Sequence, residues 1–285
     1  MLKPLFISVS FGIAATSALA AHTQARLVLA NELVLPGDTV LAGIELHMDP
    51  QWHTFWKNPG ASGLATSVKW DLSWTVTAGD IQWPVPEKFP LNDHATYGYT
   101  NDVVLLVPLK VAYGVPQGSL DLKATVFWLE CNQEAVPGST EVHADLSIGR
   151  QTRSTAEAEM LRSWQANLPQ SGAALSARAW WDGAAMTNLR PLILEWNSPR
   201  AESDADFFPY TSQGFELQGA TERLPSSPGK IRLRKRVKKF IGDWPRQISG
   251  LLIEKTARKR FGFEVTLPIL EGSDSGQPAG AGSRE

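Results

Sequence analysis

GSLDLKATVFWLECNQEAVPG, residues 118–138, indicates the fold class of this chain. From Leu120 to Val126 it alternates apolar and polar side chains, a pattern that is typical of a β-strand with one buried face. A Pro-Gly pair closes the stretch with residues that favour turns. The stretch also holds Cys131, the only cysteine of the sequence. We therefore expect the chain to be built from strands, with its single thiol close to a turn.

Further segments along the chain have the same character. They are short, β-branched or alternating, and are separated by turn residues: QARLVLANELVL, GDTVLAGIELHM and NDVVLLVPLKVAY before residue 118, and LRPLILEW, GFELQGA, GKIRLRKRV, RQISGLLIEK and FGFEVTLPIL after residue 188. This spacing favours antiparallel sandwiches over alternating β and α units. The predicted fold class is all-β.

One segment has a helical pattern and divides the chain. In AEAEMLRSWQANLPQSGAAL, apolar side chains recur three or four residues apart, at Ala158, Leu161, Trp164 and Leu168. A proline and a glycine then end the pattern. We predict a β-sandwich over residues 22–150, a connecting helix and linker over 151–170, and a second, smaller β-sandwich over 171–270.

The two ends of the chain have their own compositions. Lys3, a short apolar run and small residues at Ala18 and Ala20 form the pattern of a signal peptide, so we expect residues 1–20 to be removed near Ala20 and the protein to be exported. No later stretch has the about 20 apolar residues that a membrane helix needs. The small and polar residues of 271–285 predict a disordered tail.

Four motifs together resemble a known family. They are WHTFWKNPGASG (52–63), IQWPVP (81–86), YGY (97–99) and WLECNQEAVP (128–137). In this order they are similar to the N-terminal periplasmic domain of DsbD-type thiol:disulfide interchange proteins. Within that group, the chain most resembles the ScsB branch, which is associated with copper tolerance.

The resemblance implies an immunoglobulin-like sandwich with a redox-active cysteine pair on adjacent strands. Family members take electrons from a membrane-embedded domain and pass them to periplasmic oxidoreductases, and a cap covers the pair when it is idle. By position, the cap is Ala95–Tyr99. The residues implied as cap or site lining are Thr96, Tyr97, Gly98, Tyr99, Trp52, His53, Phe55, Trp56 and Pro137. Some relatives carry an aromatic where Thr96 stands, so we expect a looser lid here.

Only half of the implied pair is present. Close relatives have the pattern C-x-x-x-C-x-P, and here Ala135 occupies the position of the second cysteine while Pro137 is kept. The second thiol is what normally resolves a mixed disulfide, so turnover as a dithiol reductase is not expected and the enzymatic status stays open. Glu130 and Glu134 disfavour the thiolate of Cys131 if they face it.

We therefore predict a degenerate, free-standing interchange module, because the sequence has neither the membrane helices nor the thioredoxin-like domain of a full-length DsbD. It is expected to work by docking or by mixed-disulfide formation. The expected partner is a periplasmic thiol oxidoreductase or a separate membrane DsbD-like protein, and we expect no cofactor.

Two alternatives stay open at this stage. In the first, the chain is a non-catalytic periplasmic interaction protein and Cys131 is a buried structural residue, as free cysteines often are. In the second, it binds Cu(I), a metal that suits sulfur and imidazole ligands. Candidate ligands for that reading are His47, Met48, His53 and His94, but their spacing matches no metal-binding motif, and no metal-ligating residues are assigned.

A basic segment stands out in the second half. In Lys230–Lys239, basic residues alternate with Ile231 and Leu233. A strand with one face in the core and one in water explains this alternation. If this face has a function, we expect peripheral contact with a membrane or an acidic partner, and no nucleic acid because the protein is exported.

Overall fold

The computed structural model describes residues 22–272. The predicted signal peptide lies outside this range, as does all of the predicted tail except its first two residues. The first half contains β1 Thr23–Leu29, β2 Asn31–Val34, β3 Thr39–Met48, β4 His53–Gly60, β5 Ser67–Asp71, β6 Val76–Ala78, β7 Glu87–Leu91, β8 His94–Thr100, β9 Asp102–Val111, β10 Gly118–Cys131, β11 Ala135–Ile148 and β12 Arg153–Ser154.

After β12 the described chain continues with its α-helix and the remaining strands. These are α1 Ala158–Gln165, β13 Gln170–Ser171, β14 Arg178–Trp181, β15 Leu189–Asn197, β16 Asp204–Pro209, β17 Phe215–Leu217, β18 Glu222–Leu224, β19 Lys230–Lys239, β20 Gln247–Lys255 and β21 Arg260–Leu270. A short 3₁₀ turn lies between β13 and β14. The predicted all-β class is confirmed.

Two sheets of the first half pack as an immunoglobulin-like sandwich, as predicted. A four-stranded sheet has the order β1-β3-β9-β6, and an eight-stranded sheet has the order β12-β2-β11-β10-β4-β8-β7, with β5 added beside β10. The apolar residues of the alternating strands meet between the sheets, where Ile44, Leu105, Leu122 and Trp56 are fully or almost fully buried. Burial of this face drives the packing.

The predicted connecting helix is α1, which covers the outer face of the four-stranded sheet. Leu161 is fully buried against Val28, Val104 and Leu106. It reaches the sheet because β3 has a glycine there: a Cβ at Gly43 would lie 2.6 Å from a Leu161 methyl carbon. The helix ends at Gln165, before Leu168, although Leu168 still packs on the same cluster.

Strands of the second half form one nine-stranded sheet, ordered β16-β20-β21-β14-β15-β19-β17, with β13 and β18 paired beside it. Strands from opposite ends of this sheet share one hydrophobic core. Phe207 of β16 packs there together with Trp181 of β14 and Trp196 of β15, and side chains of β19 and β20 complete it. The sheet therefore folds on itself as the predicted second β-unit. The separate sheets are compatible with the predicted boundaries, which remain a prediction.

The two halves are packed against each other. Phe208, Leu251 and Ile253 of the second half belong to the hydrophobic core of the first. Asn58 donates from Nδ2 to the Pro209 carbonyl and accepts from the Thr211 hydroxyl. β16 and β20 therefore bury apolar side chains on both faces, one in the core of the first half and the other in the core of the second.

Two stretches of the first half, residues 51–71 and 83–103, are dense in aromatic residues and proline, a composition that favours loops, but the structure forms strands in both. The first contains β4 and β5, and the second contains β7 and β8. Pro90 is tolerated in β7 because β7 is the last strand in its sheet, where one edge needs no ladder partner. These strands carry the candidate site.

Candidate functional site

Cys131 ends β10 and has two cross-strand neighbours. Across the hairpin of β10 and β11 it lies directly opposite Ala135, with residues 132–134 forming the turn, and on its other side it lies opposite His53 of β4. Directly opposed residues point to the same face of a sheet. Cys131 is partly buried and Ala135 is exposed. The thiol therefore lies at the edge of an accessible surface, beside the position that resemblance assigns to a second cysteine.

The thiol and the imidazole next to it both favour their uncharged forms. Burial raises the pKa of the Cys131 thiol above its ordinary value. Burial also lowers the pKa of His53. The Cys131 Sγ has a weak contact, 3.8 Å, with the Asn132 carbonyl oxygen. This environment does not favour a thiolate–imidazolium pair, so Cys131 is a weaker nucleophile than the activated thiols of cysteine enzymes.

Glu130 lies on the other face of the sheet from Cys131. Its carboxylate is completely buried and accepts a hydrogen bond from Trp128 Nε1 at 3.0 Å and another from the His22 amide at 2.8 Å. Successive residues of a strand alternate between faces, so this carboxylate does not face the sulfur. The raised pKa of the thiol has burial as its cause.

The segment implied as a cap is a β-hairpin and not a loop. β7 and β8 pair with each other, and β8 also pairs with β4. We call residues 87–100 the cap hairpin. In it, Thr96 lies opposite Phe89, and Gly98 lies opposite Phe55 of β4. This register places Thr96 and Gly98 on the same face of the sheet as Cys131.

Phe89 is the residue of this site that the sequence reasoning missed. Its ring stacks on His53, the neighbour of Cys131, with a centroid distance of 4.6 Å. Phe89 also lies directly opposite Thr96, so an aromatic ring from β7 stands next to that position. The aromatic residue in EKFPL, directly before the implied cap, was the signal available in the sequence.

Tyr97, Tyr99 and Trp56 point away from the thiol. All three are buried in the core of the first half, on the face opposite to Cys131. The ring of Tyr97 lies 6.3 Å from Trp56 and 4.7 Å from Phe208 of the second half, measured between centroids. Burial raises the pKa of both tyrosines. These side chains support the strands of the site from below and do not line it.

The remaining implied residues divide between the two faces. Phe55 is buried and meets His53 edge to face at 5.1 Å. Pro137 is exposed on β11. Trp52 precedes β4 and stacks on His22 with a centroid distance of 3.9 Å. Phe55 and Pro137 therefore share the face of Cys131, whereas Trp52 packs beside the start of β1.

The candidate Cu(I) ligands do not converge. His47 Nδ1 is hydrogen-bonded to Asp102 Oδ1 at 2.6 Å, and His94 Nδ1 is hydrogen-bonded to Glu216 Oε1 at 2.7 Å. Met48 is buried, with its sulfur accepting from Thr54. Within residues 22–272, no group of three or more His, Cys, Asp or Glu is placed to hold a metal ion.

The basic segment of the second half is β19, and much of its charge is paired. Lys230 and Arg232 both contact Glu195, at 3.0 and 2.5 Å, and Arg234 contacts Asp182 and Glu222. Ile231 and Leu233 face the core, as the alternation predicts. A contact of this strand with a membrane or an acidic partner stays a prediction.

Comparison with known proteins gives a family match and a similar solved structure. Residues 24–146 match the family described as "Thiol:disulfide interchange protein DsbD, N-terminal". No curated protein matches the chain significantly. The crystal structure of the N-terminal periplasmic domain of ScsB from Proteus mirabilis is similar, with a TM-score of 0.63 and 18% sequence identity over 87% of this chain and 94% of that one.

Another solved structure is much less similar. The major pilin subunit BcpA of Bacillus cereus has a TM-score of 0.26 and 9% identity, over 87% of this chain and 69% of that one, a similarity too low to indicate a shared fold. Within residues 22–272, no helix has the length and hydropathy of a membrane span.

Proposed function

We propose that this chain, whose residues 24–146 match the N-terminal domain family of the thiol:disulfide interchange protein DsbD, is a periplasmic interchange module that works with a single thiol. Cys131 docks with a periplasmic thiol oxidoreductase, or with a separate membrane DsbD-like protein, and forms a mixed disulfide with it. The observation that carries the proposal is the position of Cys131, partly exposed and directly opposite Ala135 at the end of a hairpin.

The proposed step follows from the chemistry of thiols. The Cys131 thiol loses its proton to solvent, and its thiolate attacks one sulfur of a partner disulfide. An S–S bond forms between the two proteins, the partner's S–S bond breaks, and the partner's other sulfur leaves as a thiolate. Ala135 has no sulfur to attack the new bond, so a thiol from outside the chain must release Cys131. The mixed disulfide is therefore expected to persist only where the thiolate released on the partner cannot attack the new bond again.

The competing function is a non-catalytic interaction protein in which Cys131 only fills space. The raised pKa of the thiol is consistent with this alternative, because unreactive cysteines are commonly buried. Partial exposure of Cys131 favours the interchange proposal. The two functions differ in whether the native protein presents a reactive thiol to other molecules.

Intact mass spectrometry of protein taken from its native compartment tests the proposal. The sample is alkylated rapidly and kept free of reductant, and a Cys131→Ser variant is the matched control. We expect an alkylated monomer, or a mass gain from a disulfide-linked partner, with neither present in the control. A monomer that takes up the alkylating reagent only after denaturation would leave the structural role of Cys131 as the conclusion.

A further inference from the structure

The cap hairpin is held on its back by the second half of the chain. Lys88 of β7 reaches across with its Nζ, which donates to Asp206 Oδ2 at 2.6 Å and to the Gly219 carbonyl at 2.5 Å. At the tip of the hairpin, the Gly219 amide donates to the Asp93 carbonyl at 2.9 Å. Hydrogen bonds from a side chain and from the main chain therefore link the cap hairpin to the second half.

The charged part of this junction is withdrawn from water. Lys88 and Asp206 are each mostly buried, and the side chain of Lys235 behind them is completely buried and lies 3.3 Å from Asp206. Burial alone would raise the pKa of Asp206, but Lys235 and Lys88 outweigh it and lower that pKa. Low solvent access strengthens such charge-assisted hydrogen bonds.

Shape adds a second constraint at the same place. A Cβ at Gly219 would lie 2.4 Å from the carbonyl oxygen of His94, so the two backbones approach as closely as only glycine allows. The His94 ring is bonded to Glu216 at 2.7 Å. The tip of the cap hairpin therefore packs against residues 216–219, a segment that begins within β17 and continues past its end.

On its other side, the cap hairpin faces the thiol site. Phe89 stacks on His53, and His53 is the cross-strand neighbour of Cys131. Lys88 and Phe89 are consecutive residues of one strand, so they point to opposite faces of it. One strand thus connects the contact with Asp206 to the aromatic contact beside the thiol.

We propose that the second half of the chain is a clamp that holds β7 and the turn after it beside the Cys131 site, with Lys88 and Gly219 as positioning residues. This inference rests on the proposed function and adds how access to the Cys131 thiol is regulated. A partner gains full access to Cys131 only when β7 and the turn after it move away from His53, while β8 stays paired with β4 and keeps Tyr97 and Tyr99 in the core. That motion breaks the Lys88 contacts with Asp206 and Gly219. A closed state then predominates in the free protein, and partner binding selects the open state.

Two variants each remove a different contact of the clamp. Lys88→Met removes the charged contact and leaves the Lys235–Asp206 pair in place, and Gly219→Ala separates the two backbones. Lys69→Met is the matched control, because Lys69 is exposed on β5. The readouts are amide hydrogen exchange over residues 87–100 and the alkylation rate of Cys131 in the native protein with a bulky maleimide.

We expect both variants, but not the control, to accelerate exchange in the cap hairpin and to raise the alkylation rate about tenfold, since loss of a charged hydrogen bond favours local opening. Exchange within β9 should stay slow, which shows that the core remains folded. Cap exchange and alkylation equal to those of the control in both variants would overturn the clamp and leave the proposed function standing. Faster cap exchange with a thiol that stays unreactive in every native variant would support the clamp and contradict the proposed function.

Discussion

Cys131 lies directly opposite Ala135 across the β10–β11 hairpin. Opposed residues of an antiparallel pair have Cα atoms about 4.5 to 5.5 Å apart, a distance that a disulfide spans. We therefore expect Ala135→Cys to form an intramolecular disulfide under mild oxidation. Intact mass spectrometry should show the loss of two hydrogen atoms and protection of both thiols from alkylation.

Ser139→Cys is the matched control for that experiment. Ser139 lies on the same strand but opposite Phe127, a full four residues from the position that faces Cys131. It should stay reduced within the monomer under the same conditions. An Ala135→Cys protein that also keeps two free thiols would show that the hairpin end does not hold the register described here.

The second prediction concerns the reactivity of the natural thiol with pH. Burial raises the pKa of Cys131 above the ordinary cysteine value, and only the thiolate reacts. The alkylation rate of the native protein should therefore still be rising, by about tenfold per pH unit, as the pH passes the value at which an ordinary cysteine levels off. The same protein in urea provides the comparison, and identical profiles in the two states would contradict the burial effect.

A third prediction follows from the buried carboxylate of Glu130. Glu130→Ala leaves the Trp128 indole N–H without its buried partner and should lower the free energy of unfolding by about 3 kcal/mol. Glu134→Ala, at an exposed position in the turn, should change it by less than about 0.5 kcal/mol. Urea unfolding measures both, and equal losses would mean that the Glu130 contacts contribute nothing.

Because Glu130 faces away from the sulfur, its replacement should also leave the chemistry of the thiol unchanged. We expect Glu130→Gln to reproduce the wild-type pH profile of Cys131 alkylation. A shift of that profile to lower pH would show that this carboxylate acts on the thiol after all.

The fourth prediction uses Lys235. Burial is the main cause that lowers its pKa from 10.5 to about 8. Between these values the unfolded chain keeps the proton that the folded protein releases, so stability should rise with pH, by at most about 1.4 kcal/mol per pH unit. Urea unfolding from about pH 8 to about pH 9.5 should show this slope relative to Lys235→Met. A wild-type slope equal to that of the variant would mean that Lys235 titrates normally.

Sequence reasoning predicted the strands that carry Cys131 and Ala135 and proposed these two positions as site residues, because alternation and motif spacing can be read along the chain. It did not find Phe89 or Lys235. Phe89 contacts His53 from another strand, and that pairing depends on how β7 and β8 are placed in the sheet. Lys235 stands among basic residues, and only its even spacing from Ile231 and Leu233 indicated an inward position.

The sequence by itself determined the all-β class, the helix between the two halves, the family motifs and the presence of a single cysteine, since each depends on residue type and near-neighbour spacing. Only the tertiary structure decided which face each residue of the site occupies. A shift of one residue in strand register would exchange the faces, and register is fixed by long-range pairing and by burial of the shared core. The contact of the cap hairpin with Asp206 and Gly219 has the same origin, because residues more than a hundred positions apart meet only when both halves are folded.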